Sequence, residues 1–257
     1  MKKQPILFLG HGSPMNVISE NSWTREVSRL GASLSQPRGI LMVSAHWVTR
    51  GLKIHDSASP KTIHDFRGFP APLYDVRYPA LGNHELAARV NQLLPEAELT
   101  SDWGFDHGTW GVLNFLFPQA DIPVTPISLN AESTPSDFYE LGRRLQVLRE
   151  ENILIIGSGN LVHNLHDVDF QNENSVFPWA QSFDQQVKEL TEKGDLKSLL
   201  DWPQRDSATF RRAHPSFEHW APYLVCLGAA QDFSKVEWIF EGIQNGSVSM
   251  RSAFWNP

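Results

Sequence analysis

The chain has 257 residues, 41 % hydrophobic and 20 % charged, with a formal net charge of −7. That balance belongs to a soluble folded protein, excludes a disordered one, and at roughly 150 residues per domain allows one or two domains. The acidic balance, with no Lys/Arg-rich block, argues against nucleic acid or an acidic membrane surface as partner, and a lone cysteine, Cys226, excludes an internal disulfide or a Cys-rich zinc site.

The first signal is Pro5-Ile6-Leu7-Phe8-Leu9, apolar without alternation, which predicts a strand buried on both faces. It stops in Gly10-His11-Gly12-Ser13-Pro14, a turn that cannot continue the strand. A helix is expected over 21–34, starting at Asn21 or Ser22, and a second buried strand over 39–45, followed at once by His46-Trp47. Strand, helix, strand at this spacing is a βαβ unit with parallel strands. Parallel strands end on one side of the sheet, so His11 and His46 come to the same carboxyl edge, where open α/β sheets bind ligands.

Residues 49–82 read as a long ordered loop rich in Pro, Gly and aromatics, including His64, Phe66, Phe69, Tyr74 and Tyr78; such loops serve as lids, binding walls or packed surface excursions. A helix over 83–94 follows. In Trp103-Gly104-Phe105-Asp106-His107-Gly108-Thr109-Trp110, Thr109 reads as the cap of a short helix through Phe117. His107 then lies in a Gly-flanked turn, either open to a ligand or simply tying the turn down. The two prolines in 122–129 suggest an edge or irregular strand.

Residues 136–150 read as a helix and 152–157 as another fully apolar strand, followed by Ser158-Gly159-Asn160-Leu161-Val162-His163-Asn164. His166 reads as a surface or capping residue. Helical periodicity runs over 179–200, and a polar connection spans 205–212. Glu218-His219 heads an apolar helix through Ala230 in which Cys226 reads as a buried, inert thiol. Closing strands are expected over 236–241 and 247–254, the second alternating and antiparallel. With no repeat, low-complexity tract or boundary, one α/β domain over 1–257 is the simplest account: a mostly parallel central sheet flanked by helices. No apolar run reaches the ~20 residues of a membrane span, and the N-terminus lacks a signal-peptide cleavage site, so a cytoplasmic protein with no membrane partner is expected.

Four histidines, His11, His46, His163 and His219, thus fall where a sheet-edge cleft would lie, three of them after buried strands. Neutral imidazole ligates zinc or ferrous iron. There is no His-Glu-x-x-His helix, phosphate-cradling Gly-Lys loop or Gly-x-Ser-x-Gly elbow. On these residues alone a zinc hydrolase and a metal-handling protein such as a chelatase stay open.

Nearly end to end, the chain resembles the LigB-like extradiol ring-cleavage dioxygenases, in particular the 4,5-DOPA dioxygenase group. The resemblance rests on the order and spacing of Gly10-His11-Gly12-Ser13-Pro14-Met15, Ser44-Ala45-His46-Trp47, Thr62-Ile63-His64-Asp65-Phe66, Gly104-Phe105-Asp106-His107-Gly108, Ser158–Asn164 and Glu218-His219. It implies one divalent non-haem metal per chain, Fe(II) for activity with Zn(II) accepted by the same site. It also implies a small aromatic diol and O₂ as substrates. His11, His46 and His219 match the metal positions, with Glu218 as the alternative third ligand. His163 matches a histidine beside the metal, a base or fourth ligand, and His107 one in the substrate pocket. His64 and Tyr74 are expected on the substrate wall.

Overall fold

A computed structural model describes residues 3–257. The strands and helices run β1 (Ile6–Gly10), α1 (Ser22–Ser33), β2 (Gly39–Thr49), β3 (Lys53–His55), β4 (Lys61–Thr62), α2 (Ala71–Tyr74), α3 (His84–Leu93), β5 (Glu98–Thr100), β6 (Gly104–Phe105) and α4 (His107–Leu116). They continue with β7 (Val124–Asn130), α5 (Pro135–Leu145), β8 (Ile153–Gly159), α6 (Pro178–Glu192), α7 (Leu196–Arg205), α8 (Ser207–Ala213), α9 (Ala221–Ala229), β9 (Val236–Phe240), β10 (Ile243–Gln244), β11 (Val248–Ser249) and β12 (Ser252–Trp255).

Eight strands form one sheet in the order β5-β3-β7-β2-β8-β1-β12-β9. The central four, β7, β2, β8 and β1, are mutually parallel, and β12 closes antiparallel on β1. This is the expected α/β architecture. The absence of alternation in the central strands has a direct cause. Ile6, Phe8, Leu41, Val43, Ile153 and Ile155 enter a core on one face, under α5 and α9. Leu7, Leu9, Ile40, Met42, Leu154 and Ile156 enter a second core on the other, under α1 and α4. A strand covered on both faces has no wet side to mark with polar residues. Among the described residues, no helix is long and apolar enough to cross a membrane.

Several local expectations change. The strand expected over 122–129 is interior as β7 and holds one of the two prolines; β3 meets it only at Ile54↔Ile127, so that flank demands few ladder hydrogen bonds and Pro126 is tolerated. The helix expected over 179–200 breaks at Gly194, whose φ of +68° lies in the left-handed region that glycine adopts without a Cβ penalty, and α7 restarts on Asp195, whose side chain accepts from Ser198 N at 3.0 Å. The presumed polar connection over 205–212 holds α8, capped by Asp206 on Thr209 N. The cap of α4 is Asp106, not Thr109; its Oδ1 accepts from Thr109 N at 2.9 Å, which makes His107 the first residue of the helix. The 49–82 segment is ordered and carries β3, β4 and α2.

Candidate active site

The carboxyl edge of the parallel strands builds the site. β1 ends at Gly10, and His11 follows, its N–H donating to Gly159 O at 3.3 Å. His46 does not follow β2 as expected but lies within it, where the pairing with β7 shifts register between Val43 and Val48. The irregularity is pinned by Ser44, whose hydroxyl accepts from His46 N and donates to the buried Asp106 Oδ1 at 2.7 Å. Asp106 also accepts from Trp103 Nε1 at 3.0 Å, so one carboxylate ties β2 to the head of α4. Gly108 lets the two approach: a methyl group there would sit 2.5 Å from Ser44 Oγ and 2.9 Å from the His46 ring.

His219 comes from the segment before α9, far along the chain. It is brought in by backbone contact with the end of β8, where Asn160 N donates to His219 O at 3.1 Å. Gly159 makes this possible, since its Cβ would lie 2.4 Å from that same oxygen.

His11, His46 and His219 each offer a ring nitrogen, and the three lie within 4.8 Å of one another. Each Nδ1 faces an outer partner: Ser158 Oγ at 2.9 Å for His11, Asp65 Oδ2 at 3.4 Å for His46, and Glu218 Oε1 at 3.3 Å for His219. An ionised carboxylate only accepts, so it orients Nδ1–H outward and leaves a lone pair on Nε2. The Nε2 atoms of His11 and His46 stand 3.0 Å apart, and His219 Nε2 is buried with no hydrogen-bond partner. Burial, reinforced by the neighbouring imidazoles, holds all three rings well below the usual histidine pKa and hence neutral. Three neutral imidazoles with lone pairs converging on one point, one of them an orphan, fit a divalent cation.

His163 lies against this group, its ring stacked on His219 with centroids 3.4 Å apart. Its nitrogen, Glu218 and His219 form a second close set. Burial, then His107, pulls His163 down to about 4. The His107 ring lies 3.9 Å from that of His46. Asp65 grips His107 twice, Oδ1 accepting from its backbone N–H and Oδ2 from Nδ1, each at 2.9 Å. Burial works to raise the Asp65 carboxyl, but the hydrogen bonds it accepts from His107 and the electrostatic pull of the His107 and His46 rings outweigh it and bring it to about 2.

A cavity of about 550 Å³ opens onto His11, His46, His107, His163 and Asp65. Phe66 and Phe69 form one wall, and the segment after β8, with Leu165 and Phe170, faces them. His64 and Tyr74 do not line it. They pack behind Phe66, with ring centroids 5.8 and 5.3 Å from it, and His64 Nε2 donates to Val76 O. His166 is exposed. Asp65 and Ser158 hold the imidazoles yet were not singled out from sequence. Asp65 was visible only as a carboxylate next to His64 in an aperiodic loop, and Ser158 as a small residue ending a strand.

The chain is similar from end to end to known proteins. The model of the family described as the catalytic LigB subunit of aromatic ring-opening dioxygenase matches residues 6–254. A 4,5-DOPA dioxygenase extradiol of Escherichia coli K12 is 44 % identical over 97 % of this chain and 94 % of its own. A protein of the same name from Beta vulgaris is 34 % identical over 95 % of this chain and 94 % of its own. The crystal structure of an uncharacterised protein of E. coli K12 superposes with a TM-score of 0.85 at 38 % identity, covering 99 % of this chain and all of that one. End-to-end similarity of sequence and fold therefore makes the chain a member of the LigB family of aromatic ring-opening dioxygenases.

Proposed function

We propose that the protein is a metal-dependent extradiol dioxygenase that opens the ring of a catechol such as DOPA with O₂, both oxygen atoms entering the product. The observation that carries this reading is the convergence of His11, His46 and His219, the first two of which line a cavity of about 550 Å³. These three would hold the metal, Fe(II) for turnover with Zn(II) accepted by the same donors. Once bound, it supplies Lewis acidity that makes a diol more acidic, a template, and redox chemistry toward O₂.

The remaining work falls to this chain's own side chains. Phe66 and Phe69 give the aromatic ring an apolar wall, which also excludes water. His163, neutral at working pH, accepts a proton from a diol hydroxyl at its free ring nitrogen. Asp65, accepting from His107 Nδ1 at 2.9 Å, fixes that ring at the cavity wall as a second proton carrier or hydrogen-bond partner of the bound diol.

The test is to purify the protein without oxygen, load it with Fe(II), and follow O₂ uptake and the yellow ring-opened product on several catechols. His11→Ala or His46→Ala should lose metal and activity together, and His163→Ala should lose turnover more than metal. Iron-loaded protein that consumes no O₂ with any catechol, or ester hydrolysis with no O₂ demand, would overturn the reading.

A further inference from the structure

The cavity has a charge bias separate from its metal-facing end. Apart from histidines, its ionisable lining side chains are Asp65 and Glu173, and among the described residues no Lys or Arg lines it. Asp65 has both oxygens committed to His107. Glu173 is not committed in this way. It stands on the segment between β8 and α6, and its side-chain partner is the neutral amide of Gln244, whose Nε2 donates to Oε1 at 2.8 Å.

Glu173 is also well placed. Gln244 is buried, and its Nε2 reaches Asn16 Oδ1 at 3.2 Å while its Oε1 accepts from Ser13 N at 3.3 Å. Asn16 Nδ2 in turn donates to His11 O at 3.1 Å. The main chain is pinned as well, Asn245 N donating to Glu173 O at 2.8 Å. The carboxylate is thus braced, through neutral amides, against the loop that carries His11. Neither arginine of the opposite wall segment lines the cavity: Arg67, between Phe66 and Phe69, is exposed, and Arg77 Nη1 donates to Tyr74 O and Val76 O, each at 2.7 Å.

We propose that this site selects catechols bearing a protonated amine, with Glu173 pairing with the ammonium, and disfavours catechols whose side chain is an anion. This rests on the extradiol reading and specifies the class of diol. The carboxylate of an amino-acid substrate finds no cation in the cavity and stays in water at its mouth. A carboxylate attracts a cation and repels an anion, so its effect counts twice in the ratio between them; for a partly exposed group that is roughly tenfold.

The experiment compares dopamine, 4-methylcatechol and 3,4-dihydroxyphenylacetate, with kcat/KM on the iron-loaded enzyme. In parallel, Kd is measured on zinc-loaded protein under argon from quenching of tryptophan fluorescence. The cationic catechol is expected to exceed the anionic one roughly tenfold in both, with the neutral one between, and about 0.5 M salt should shrink the spread. Glu173→Gln should bring the ratio toward one, and Glu173→Lys should invert it. A wild-type ratio of one or below, or a ratio that Glu173→Gln leaves unmoved, overturns the proposal, as does failure of the cationic catechol to bind. Charge-ordered binding without ring cleavage would instead sink the dioxygenase reading and leave the charge selectivity standing.

Discussion

Replacing Asp65 by Asn keeps the volume, removes one negative charge and turns one acceptor into a donor. In the native arrangement both oxygens accept from His107, and Oδ2 also lies 3.4 Å from Nδ1 of His46. With the carboxyl held near pKa 2, the group is ionised across any working pH, so the substitution is a real change of charge. In Asp65→Asn one of the two His107 donors must face an NH₂. The ring escapes only by moving its proton to the other nitrogen, which gives it the wrong tautomer for its proposed task. A hydrogen bond to a charged group is worth about 1.5–3 kcal/mol, so kcat/KM should fall roughly tenfold to a hundredfold. The contact with His46 is longer, and metal affinity should drop less, toward the tenfold end of what losing an outer-shell partner costs. Chelator competition measures the metal, an oxygen electrode the turnover, and a urea melt checks the fold. Wild-type turnover in Asp65→Asn would falsify the assignment; metal loss equal to or greater than the loss of turnover would place the carboxylate's main work on His46 instead.

Three further tests bear on the scaffold. Burial pulls His214 down to about 3, against the opposing hydrogen bond it donates to Leu161 O, so below pH ~6.5 the unfolded chain binds a proton that the folded one refuses. Stability should then fall by up to about 1.4 kcal/mol per pH unit as pH drops from ~6.5 toward 3, and His214→Phe, set among Phe183, Phe210 and Trp220, should flatten that slope in urea melts between about pH 6 and 4; an unchanged slope refutes it. Gly159→Ala drives a methyl group to 2.4 Å from His219 O, so about 1–3 kcal/mol of stability and much of the metal binding should go together, and retention of full metal content would show that His219 need not sit there. Cys226 is fully buried, its Sγ donating to Leu7 O at 3.2 Å, and burial pushes the thiol up; iodoacetamide at about pH 9 should label it only after denaturation, and labelling of the folded protein would contradict the packing.

The strand cores and their order of function were legible from local pattern. An apolar run such as Ile6–Leu9 has one stable environment, a strand covered on both sides, and the βαβ spacing forces its neighbour parallel, which is why His11 and His46 could be placed at one edge without coordinates. Caps and breaks read less well, because Asp106, Gly194 and Asp206 act through single hydrogen bonds or one dihedral angle, and periodicity does not register those. Tertiary structure alone decided three things. It brought His219 to the other two imidazoles through the contact of its carbonyl with Gly159 and Asn160; it set Asp65 between His46 and His107; and it turned His64 and Tyr74 behind Phe66. Each depends on which atoms meet across long stretches of chain, and a side chain's neighbours across such a distance are fixed by packing, which no local spacing of residues encodes.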